Sequence, residues 1–563
     1  MSIEAATATN RFGMGAGAGD IERAGRDPRG WLLGQLEPRR TLSAEFKGLP
    51  SSTEIRAAHW HRYGEASPTL NRRLEALQAK GDAAAVEAAS KDVQRMLGGY
   101  VMWATQVAHT EFAARTRHAL GTDRPFEERL VRFWSNHLVV PTAKVPATIL
   151  VGAYEREVIR PHAAGKFRDM LTASAKHAAM LTFLDNDTSI GPNSPFGRER
   201  KMGLNENLGR EILELHTMGV DGGYTQADVI ALATGLTGWS TAPAILRANT
   251  VYASALLLPQ RAPDGPYAFA FYPDWHEPGP VKMLGKTYAD EGVRQAETML
   301  ADLAKHPATA RFLAQKFARH FVSDDPSESL VKRLADVYLA HDTSIGAMAR
   351  ALVESREAWT PEKRKLKQPE DFVISALRGV GAEVAALPPY PAYRFDTYRP
   401  PPGARLPSGD RVASAGGMAG GMAGGMAGGM AGGMAARDPA MADAAGEPRR
   451  RRRTATGGTT ALVPSELYEE LGKMGQKPFG APGPQGWYDR VSDWSGAASL
   501  VKRIEWSAEL AQSRANDLPE GPRMLDAMLG GSATAELRRA VERAATREQA
   551  LTLILASAEF QRR

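Results

Sequence analysis

The stretch at residues 205–220, NENLGREILELHTMGV, places amide, carboxylate and imidazole side chains among leucines. At about 100° per residue, the apolar face of a helix here consists of Leu204, Leu208, Ile212 and Leu215. Glu211 falls at the edge of that face, where an unpaired carboxylate is costly. Because a carboxylate in such surroundings has a perturbed pKa, Glu211 is a candidate catalytic acid or base.

The same stretch offers His216, Asn205 and Asn207 as candidate ligand-binding residues. Its ExxExH pattern does not match the i, i+4 histidine pair of HExxH, so it is a poor metal signature, and the metal is left unknown. A structural interpretation stands beside the functional one. Glu206, Arg210 and Glu214 follow one another at i, i+4, which is typical of a surface ion-pair ladder, and Thr225 can cap the following helix.

Two further histidines are candidates for catalysis. His137, in RLVRFWSNHLVVP, shares a helix face with aromatic residues and precedes a helix end, so it is either a buried core histidine or lies at a pocket rim. His276, in FYPDWHEPGP, lies in a turn-rich loop with Asp274 and Trp275, which are candidate ligand-binding residues. The alternative is that this loop is structural.

Composition excludes several classes of function. The chain contains no cysteine, which excludes disulfides, thiolate metal sites and cysteine nucleophiles. No apolar run reaches the roughly 18 residues that span a bilayer, so no membrane span is expected. The net charge of +6 is small, and the helix after Thr225 lacks Lys and Arg, so we expect no nucleic-acid binding. The N-terminus shows no charged region followed by an apolar one, so no signal peptide is expected.

Helical periodicity dominates the elements that must position these residues, and it predicts helices near 307–321 and 328–340 among others. It predicts a mainly α fold: one large multi-helix domain with a small β-hairpin excursion near 249–287. The helical body is predicted to consist of residues 1–400 and 459–563. Residues 401–458 contain five GGMA repeats and an Arg run, and their low-complexity composition predicts a disordered insertion.

Several blocks of the sequence resemble one bacterial family, the domain of unknown function 1800. They are NRFGMGA, RFWSNHLVV, MLTFLDN, NENLGREILELHTMGVDGGYTQADVIALATGLTGW, FYPDWHEPGPVKMLGKTY, KFARHFVSDDP, KQPEDFVISALRGVG, GQKPFGAPGPQGWYD and LILASAEFQRR. The resemblance spans nearly the whole chain except the GGMA segment. It implies a large, mainly helical protein, but it implies neither a reaction nor catalytic residues.

The resemblance also implies a protein partner. Genes of this family commonly neighbour those of the domain of unknown function 1501, which is similar to sulfatases and alkaline phosphatases and is often exported. We therefore expect an accessory or binding subunit that acts with such a partner and with a polysaccharide or other envelope polymer. The alternative is a hydrolytic or oxidative enzyme with a His/carboxylate cleft; its cofactor is unknown. The expected compartment is the cytoplasm, unless the partner carries the chain to the periplasm.

Overall fold

The computed structural model describes residues 2–37, 43–59, 66–241, 244–245, 256–257, 268–362, 365–385 and 462–563. Residues 1–395 and 460–563 form one compact unit. The predicted disordered insertion, residues 401–458, lies outside the described residues. None of the helices in the described ranges is long and apolar enough to cross a membrane.

The fold is mainly α, as predicted from the sequence. The first helices are α1 (Ile3–Thr7), α2 (Asp20–Arg26), α3 (Pro28–Leu33), α4 (Ser52–His59), α5 (Ala66–Lys80), α6 (Ala83–Gly121), α7 (Pro125–His137), α8 (Val145–Thr148), α9 (Val151–Tyr154), α10 (Arg160–His162), α11 (Phe167–Lys176), α12 (Ala178–Phe183), α13 (Pro195–Arg200), α14 (Asn207–Glu211) and α15 (Gln226–Gly235).

The second half of the chain continues in the same way. Its helices are α16 (Val293–Ala304), α17 (Pro307–Phe321), α18 (Glu328–Ala340), α19 (Ile345–Glu354), α20 (Pro369–Gly379), α21 (Pro464–Lys473), α22 (Val491–Trp494), α23 (Ala497–Ser513), α24 (Gly521–Leu529), α25 (Ala535–Glu542), α26 (Arg547–Ala556) and α27 (Ala558–Gln561). Side chains cap many of them; Thr225, for instance, forms a capping box with Asp228 at the start of α15, as predicted.

Short antiparallel pairs form the β structure of the described residues. The strands are β1 (Trp239–Thr241), β2 (Ala244–Ile245), β3 (Leu256–Leu257), β4 (Phe269–Phe271), β5 (Val281–Met283) and β6 (Lys286–Tyr288), paired as β1 with β4, β2 with β3, and β5 with β6. The β5–β6 hairpin turns at Leu284 and Gly285, which both have positive φ. It lies in the predicted excursion, much of which is outside the described residues.

Among the described residues, three π-helical turns interrupt the α-helices, at Ala8–Phe12, Glu155–Ile159 and Ile212–His216. The last one corrects the predicted helix at 205–220. A π turn contains an extra residue, so the α-helical spacing assumed from the sequence fails after Glu211. As a result Leu213 is fully buried, whereas Leu215, predicted on the buried face, is only partly buried.

The two parts of the chain meet in a shared core. Residues of α6 and α20 pack with residues of α21, α23, α24 and α26, including Phe112, Phe372 and Trp506. The chain also joins itself at the two ends of the segment 386–461. Val384 and Leu462 form a β-bridge, the Ala385 amide donates to the Leu462 carbonyl, and the Leu462 amide donates to the Glu383 carbonyl. The residues on either side of that segment therefore lie next to each other.

Candidate functional site

A cavity of about 350 Å³ lies between α7, α17 and a loop of the C-terminal part. Such a volume is at the small end of the range for ligand pockets, about 300–1,000 Å³. Helix α7 contributes Arg132, Phe133 and His137, and α17 contributes Phe312, Lys316 and His320. The C-terminal loop, residues 475–490, is called the cavity loop below. Both aromatic and charged side chains line the wall.

Lys316 and His137 form a hydrogen-bonded pair at the cavity wall. The His137 Nε2 atom lies 3.0 Å from the His216 carbonyl oxygen, and the His137 Nδ1 atom lies 2.9 Å from the Lys316 Nζ atom. Because a carbonyl oxygen can only accept, Nε2 carries the proton and Nδ1 is an acceptor. Lys316 therefore donates to a neutral imidazole.

Burial sets the charge state of this pair. It is the main cause that lowers the pKa of Lys316 to about 8; Asp489 opposes this shift and nearby Arg319 adds to it. Burial likewise takes the pKa of His137 well below its ordinary value, with further lowering by Lys316. The pKa of His216 falls to about 3, again mainly through burial. At neutral pH both histidines are uncharged, and Lys316 is the member of the group that can gain or lose a proton.

Several other charged residues of the cavity wall take part in a buried ion-pair network. The network consists of Glu128, Glu155, Glu370, Arg115, Arg132 and Arg160. Glu128 is 1 % exposed and accepts from two nitrogens of Arg160, at 2.7 and 3.2 Å. Glu370 lies 2.6 Å from Nη1 of Arg132 and 3.0 Å from Nη1 of Arg115. These carboxylates are paired with guanidinium groups, and Lys316 forms no ion pair with them.

A second histidine, His320, lies one turn beyond Lys316 on α17. Its Nδ1 atom is 2.7 Å from a carboxylate oxygen of Asp489 in the cavity loop. Arg563 approaches the other ring nitrogen at 3.5 Å, and an arginine can only donate, so Nδ1 carries the proton toward Asp489. Burial lowers the pKa of His320 to about 4. The neutral imidazole therefore fastens the cavity loop to α17.

Asn136, the neighbour of His137, fastens the same loop to α7. Its amide nitrogen donates to the Trp487 carbonyl at 2.9 Å, and its oxygen accepts from the Trp487 amide at 2.7 Å. Gly486, with φ +77°, passes so close to α7 that a Cβ atom there would lie 2.3 Å from the Asn136 carbonyl oxygen. Phe479 in this loop also has positive φ, at +54°. Such backbone conformations persist only where the surroundings hold them, and they occur often at functional sites.

Gly486→Ala should destabilise the protein more than Gly475→Ala does. Both glycines have positive φ, but no described atom lies within 4 Å of a Cβ built on Gly475. Both substitutions introduce backbone strain, so the difference between the two variants reports the clash with Asn136. For Gly486→Ala we expect an additional loss of about 1–3 kcal/mol in the free energy of unfolding. Urea unfolding of both variants measures it. Equal losses would show that the cavity loop is not closely packed on α7.

His137 and His216 are the predicted site residues that the structure brings together. Their rings are 6.5 Å apart between centroids, and the backbone of one contacts the side chain of the other. Glu211 and His276 are not among the residues that line the cavity. Burial, with Glu214 nearby, raises the pKa of Glu211 to about 7, and its buried Oε2 atom has no hydrogen bond within the described part of the chain. The structure does not bring the three proposed catalytic residues to one point.

The predicted residues of the 270s loop are not among those that line the cavity. Asp274 is exposed, and Trp275 is buried and stacks on Tyr272. The Nδ1 atom of His276 contacts the Thr237 carbonyl at 2.9 Å, and its Nε2 atom lies 3.8 Å from Asp290.

Two further candidates, Asn205 and Asn207, lie at the start of the stretch 205–220. The Asn205 side-chain oxygen accepts from the Asn207 amide at 2.9 Å at the start of α14, and Asn207 is exposed. The ladder predicted from Arg210 to Glu206 and Glu214 is confirmed, at 2.9 and 3.3 Å. Within the described ranges, no group of three or more His, Asp or Glu side chains could hold a metal ion. Ligand-binding roles for these amides stay predictions.

Lys316, His320 and Asp489 were missed in the sequence. The signal that could have found two of them is the i, i+4 spacing of Lys316 and His320 in KFARH, which puts both on one helix face. Asp489 lies 169 residues further along the chain, in a Gly- and Pro-rich segment without periodicity, so nothing local connects it to α17.

Comparison with known proteins gives one match. A family model described as "Protein of unknown function (DUF1800)" matches residues 7–562, which is nearly the whole chain. Neither the curated proteins nor the solved structures contain a match.

Proposed function

The chain belongs to the DUF1800 family of proteins of unknown function, and from that premise we propose that its cavity is an active site in which Lys316 exchanges a proton with a small bound ligand. The observation that supports this proposal is the Lys316–His137 pair at the cavity wall, 2.9 Å between Nζ and Nδ1. A lysine of lowered pKa beside a neutral acceptor is typical of amines that act as bases or nucleophiles.

Acid–base chemistry needs a group that is populated in both protonation states near the working pH. With a pKa of about 8, Lys316 meets this condition, whereas an ordinary exposed lysine, at about 10.4, does not. His137 is a positioning residue here. Its Nε2–H is held by the His216 carbonyl, so its Nδ1 lone pair points at the amine and fixes its direction.

Activity tests the proposal directly. Full-length protein is incubated with a bacterial small-molecule extract, and mass spectrometry follows which compounds are consumed or formed. We expect Lys316→Met to abolish any conversion that the wild-type protein catalyses, by at least about 100-fold, because general acid–base groups typically contribute 10²–10⁴. Lys332→Met, a change of an exposed lysine on α18, is the matched control and should leave the conversion unchanged. Conversion that survives in Lys316→Met would overturn the proposal.

Labelling gives an independent readout of the amine itself. Trace acetylation of the native protein at a series of pH values, followed by peptide mass spectrometry, reports the titration of each lysine. Lys316 should become reactive with a midpoint near pH 8, well below the ordinary value for a lysine of about 10.4. A midpoint for Lys316 at the ordinary value would contradict the proposed role, because the amine would then be a permanent cation.

The accessory role remains a second proposal. In it, the protein binds a sulfatase- or alkaline phosphatase-like partner, together with a polysaccharide or other envelope polymer. It rests on the family resemblance, whereas the active site rests on described contacts, so we place the enzyme first. The alternative cleft with a free catalytic carboxylate is less well supported, because Glu155 and Glu370 in the cavity wall are already paired with arginines.

A further inference from the structure

The cavity contains a second polar group that the proton exchange does not use. Arg132 on α7 lines the cavity and is 8 % exposed. Its Nε atom faces Glu128 at 3.3 Å and its Nη1 atom faces Glu370 at 2.6 Å. Its Nη2 atom is buried, and within the described residues it has no hydrogen-bond acceptor. A buried donor without an acceptor costs about 1–3 kcal/mol, a cost that an oxygen atom of a ligand would remove.

Lys316 supplies the complementary chemistry. Its amine lies at the cavity wall, contacts an uncharged acceptor and has no carboxylate partner at ion-pair distance among the described residues. An amine in this setting can attack a carbonyl carbon, as Schiff-base lysines do. The Phe312 ring centroid lies 5.4 Å from the Lys316 Nζ atom, and Phe133 stacks on His137, so apolar surface adjoins the pair.

We infer that the cavity takes a small oxo acid, whose carbonyl carbon forms an imine with Lys316 and whose carboxylate binds the unused nitrogen of Arg132. This inference rests on the proposed function. A guanidinium group suits a carboxylate because both are planar and because the hydrogen bonds are charge-assisted. The volume of about 350 Å³ accommodates such a ligand.

The covalent step balances without an added oxidant or reductant. The neutral amine of Lys316 adds to the carbonyl carbon, and one amine proton passes to the carbonyl oxygen, which gives a carbinolamine. The C–O bond then breaks, the oxygen leaves as water with the second amine proton, and the C=N bond forms. The sum is amine plus carbonyl to imine plus water, which is the usual route to lysine Schiff bases.

Reductive trapping tests this inference. Full-length protein is incubated with pyruvate and sodium cyanoborohydride, which reduces an imine to a stable secondary amine, and the modified lysine is located by peptide mass spectrometry. We expect Lys316 to be modified at least about ten times more than exposed Lys332. Lys316→Arg should give no adduct at this position. Dihydroxyacetone, a carbonyl probe without a carboxylate, should modify Lys316 at least about ten times less than pyruvate does.

A second variant isolates the carboxylate site. Arg132→Lys keeps the positive charge beside Glu370 but loses the planar guanidinium, so it should remove most of the preference for pyruvate over dihydroxyacetone while Lys316 still reacts with both. Equal trapping of the two probes by the wild-type protein would overturn the carboxylate assignment. If trace acetylation finds Lys316 titrating near pH 8 but no carbonyl probe is trapped, the imine is overturned and the proton exchange stands. If Lys316 titrates as an ordinary lysine, both proposals fail.

Discussion

Glu128→Gln should lower the free energy of unfolding at pH 7 by about 3–5 kcal/mol, the usual result of breaking a buried ion pair on one side. Glu128 is 1 % exposed and faces Arg160, Arg132 and His118 at 2.7 to 3.3 Å. A neutral amide leaves those guanidinium groups buried without full compensation. Chemical denaturation of wild-type and variant proteins measures the difference. Glu87→Gln, which breaks an exposed i, i+4 pair with Lys91, is the control, and we expect a change below about 0.5 kcal/mol.

The loss from Glu128→Gln should also depend on pH in one direction. The surrounding cations, Arg160 first, hold the pKa of Glu128 well below its ordinary value against the opposing effect of burial. A group whose pKa is lower in the folded state contributes stability above its unfolded pKa, about 4.3, and loses it as the pH falls through the folded value. The difference between wild type and variant should therefore be full at pH 6–7 and shrink below about pH 4.3. A difference that grew on acidification would contradict the ion-pair explanation.

Lys316→Met should have the opposite effect to Glu128→Gln and raise the free energy of unfolding at neutral pH. The pKa of Lys316 falls from 10.5 to about 8 in the folded protein, mainly through burial, so the folded state resists the charged form. The full shift corresponds to about 3 kcal/mol at 1.36 kcal/mol per pKa unit, and solvent in the cavity reduces it. We expect a gain of about 1–3 kcal/mol at pH 7 from removing the amine, together with the loss of function.

The pH dependence distinguishes this effect from simple packing. Below about pH 8 Lys316 is protonated in both states, so the penalty is fully present. Between the folded and unfolded pKa values, about 8 and 10.5, the unfolded state binds more protons, and wild-type stability rises. The gap between Lys316→Met and wild type should therefore close as the pH approaches 10.5. Lys332→Met on exposed α18 should show no such trend. A gap that stays constant with pH would assign the effect to apolar packing.

Helix positions could be predicted where a clear period coincides with a capping residue. Helix α17, predicted at 307–321, begins at Pro307 after the side-chain cap of His306, and α18, predicted at 328–340, begins after the cap of Ser327. Both predicted helices match the structure because their bounds depend on the local hydrophobic period and on the capping residue. The helix at 205–220 was predicted with the wrong spacing, since a π turn depends on the packing of the whole turn and has no local composition that announces it.

The candidate site was predictable in part. His137 stood out because it follows aromatic residues near a helix end. Lys316 did not, because its sequence neighbours resemble those of any amphipathic helix; its lowered pKa comes from burial and from the balance of Arg319 and Asp489 around it. The two hydrogen bonds of Asn136 to Trp487 join positions 351 residues apart. Such pairings follow from topology, which local patterns do not encode.

The residues on either side of the segment 386–461 lie next to each other, which affects how the length of that segment can change. Because hydrogen bonds among Glu383, Ala385 and Leu462 join the two ends, repeat units can be gained or lost between them without moving the helices on either side. For a flexible connection, doubling its length raises the closure cost by only about 0.6 kcal/mol. We therefore expect that the number of GGMA repeats can change at little cost to folding, and that the same position would accept a fused reporter domain.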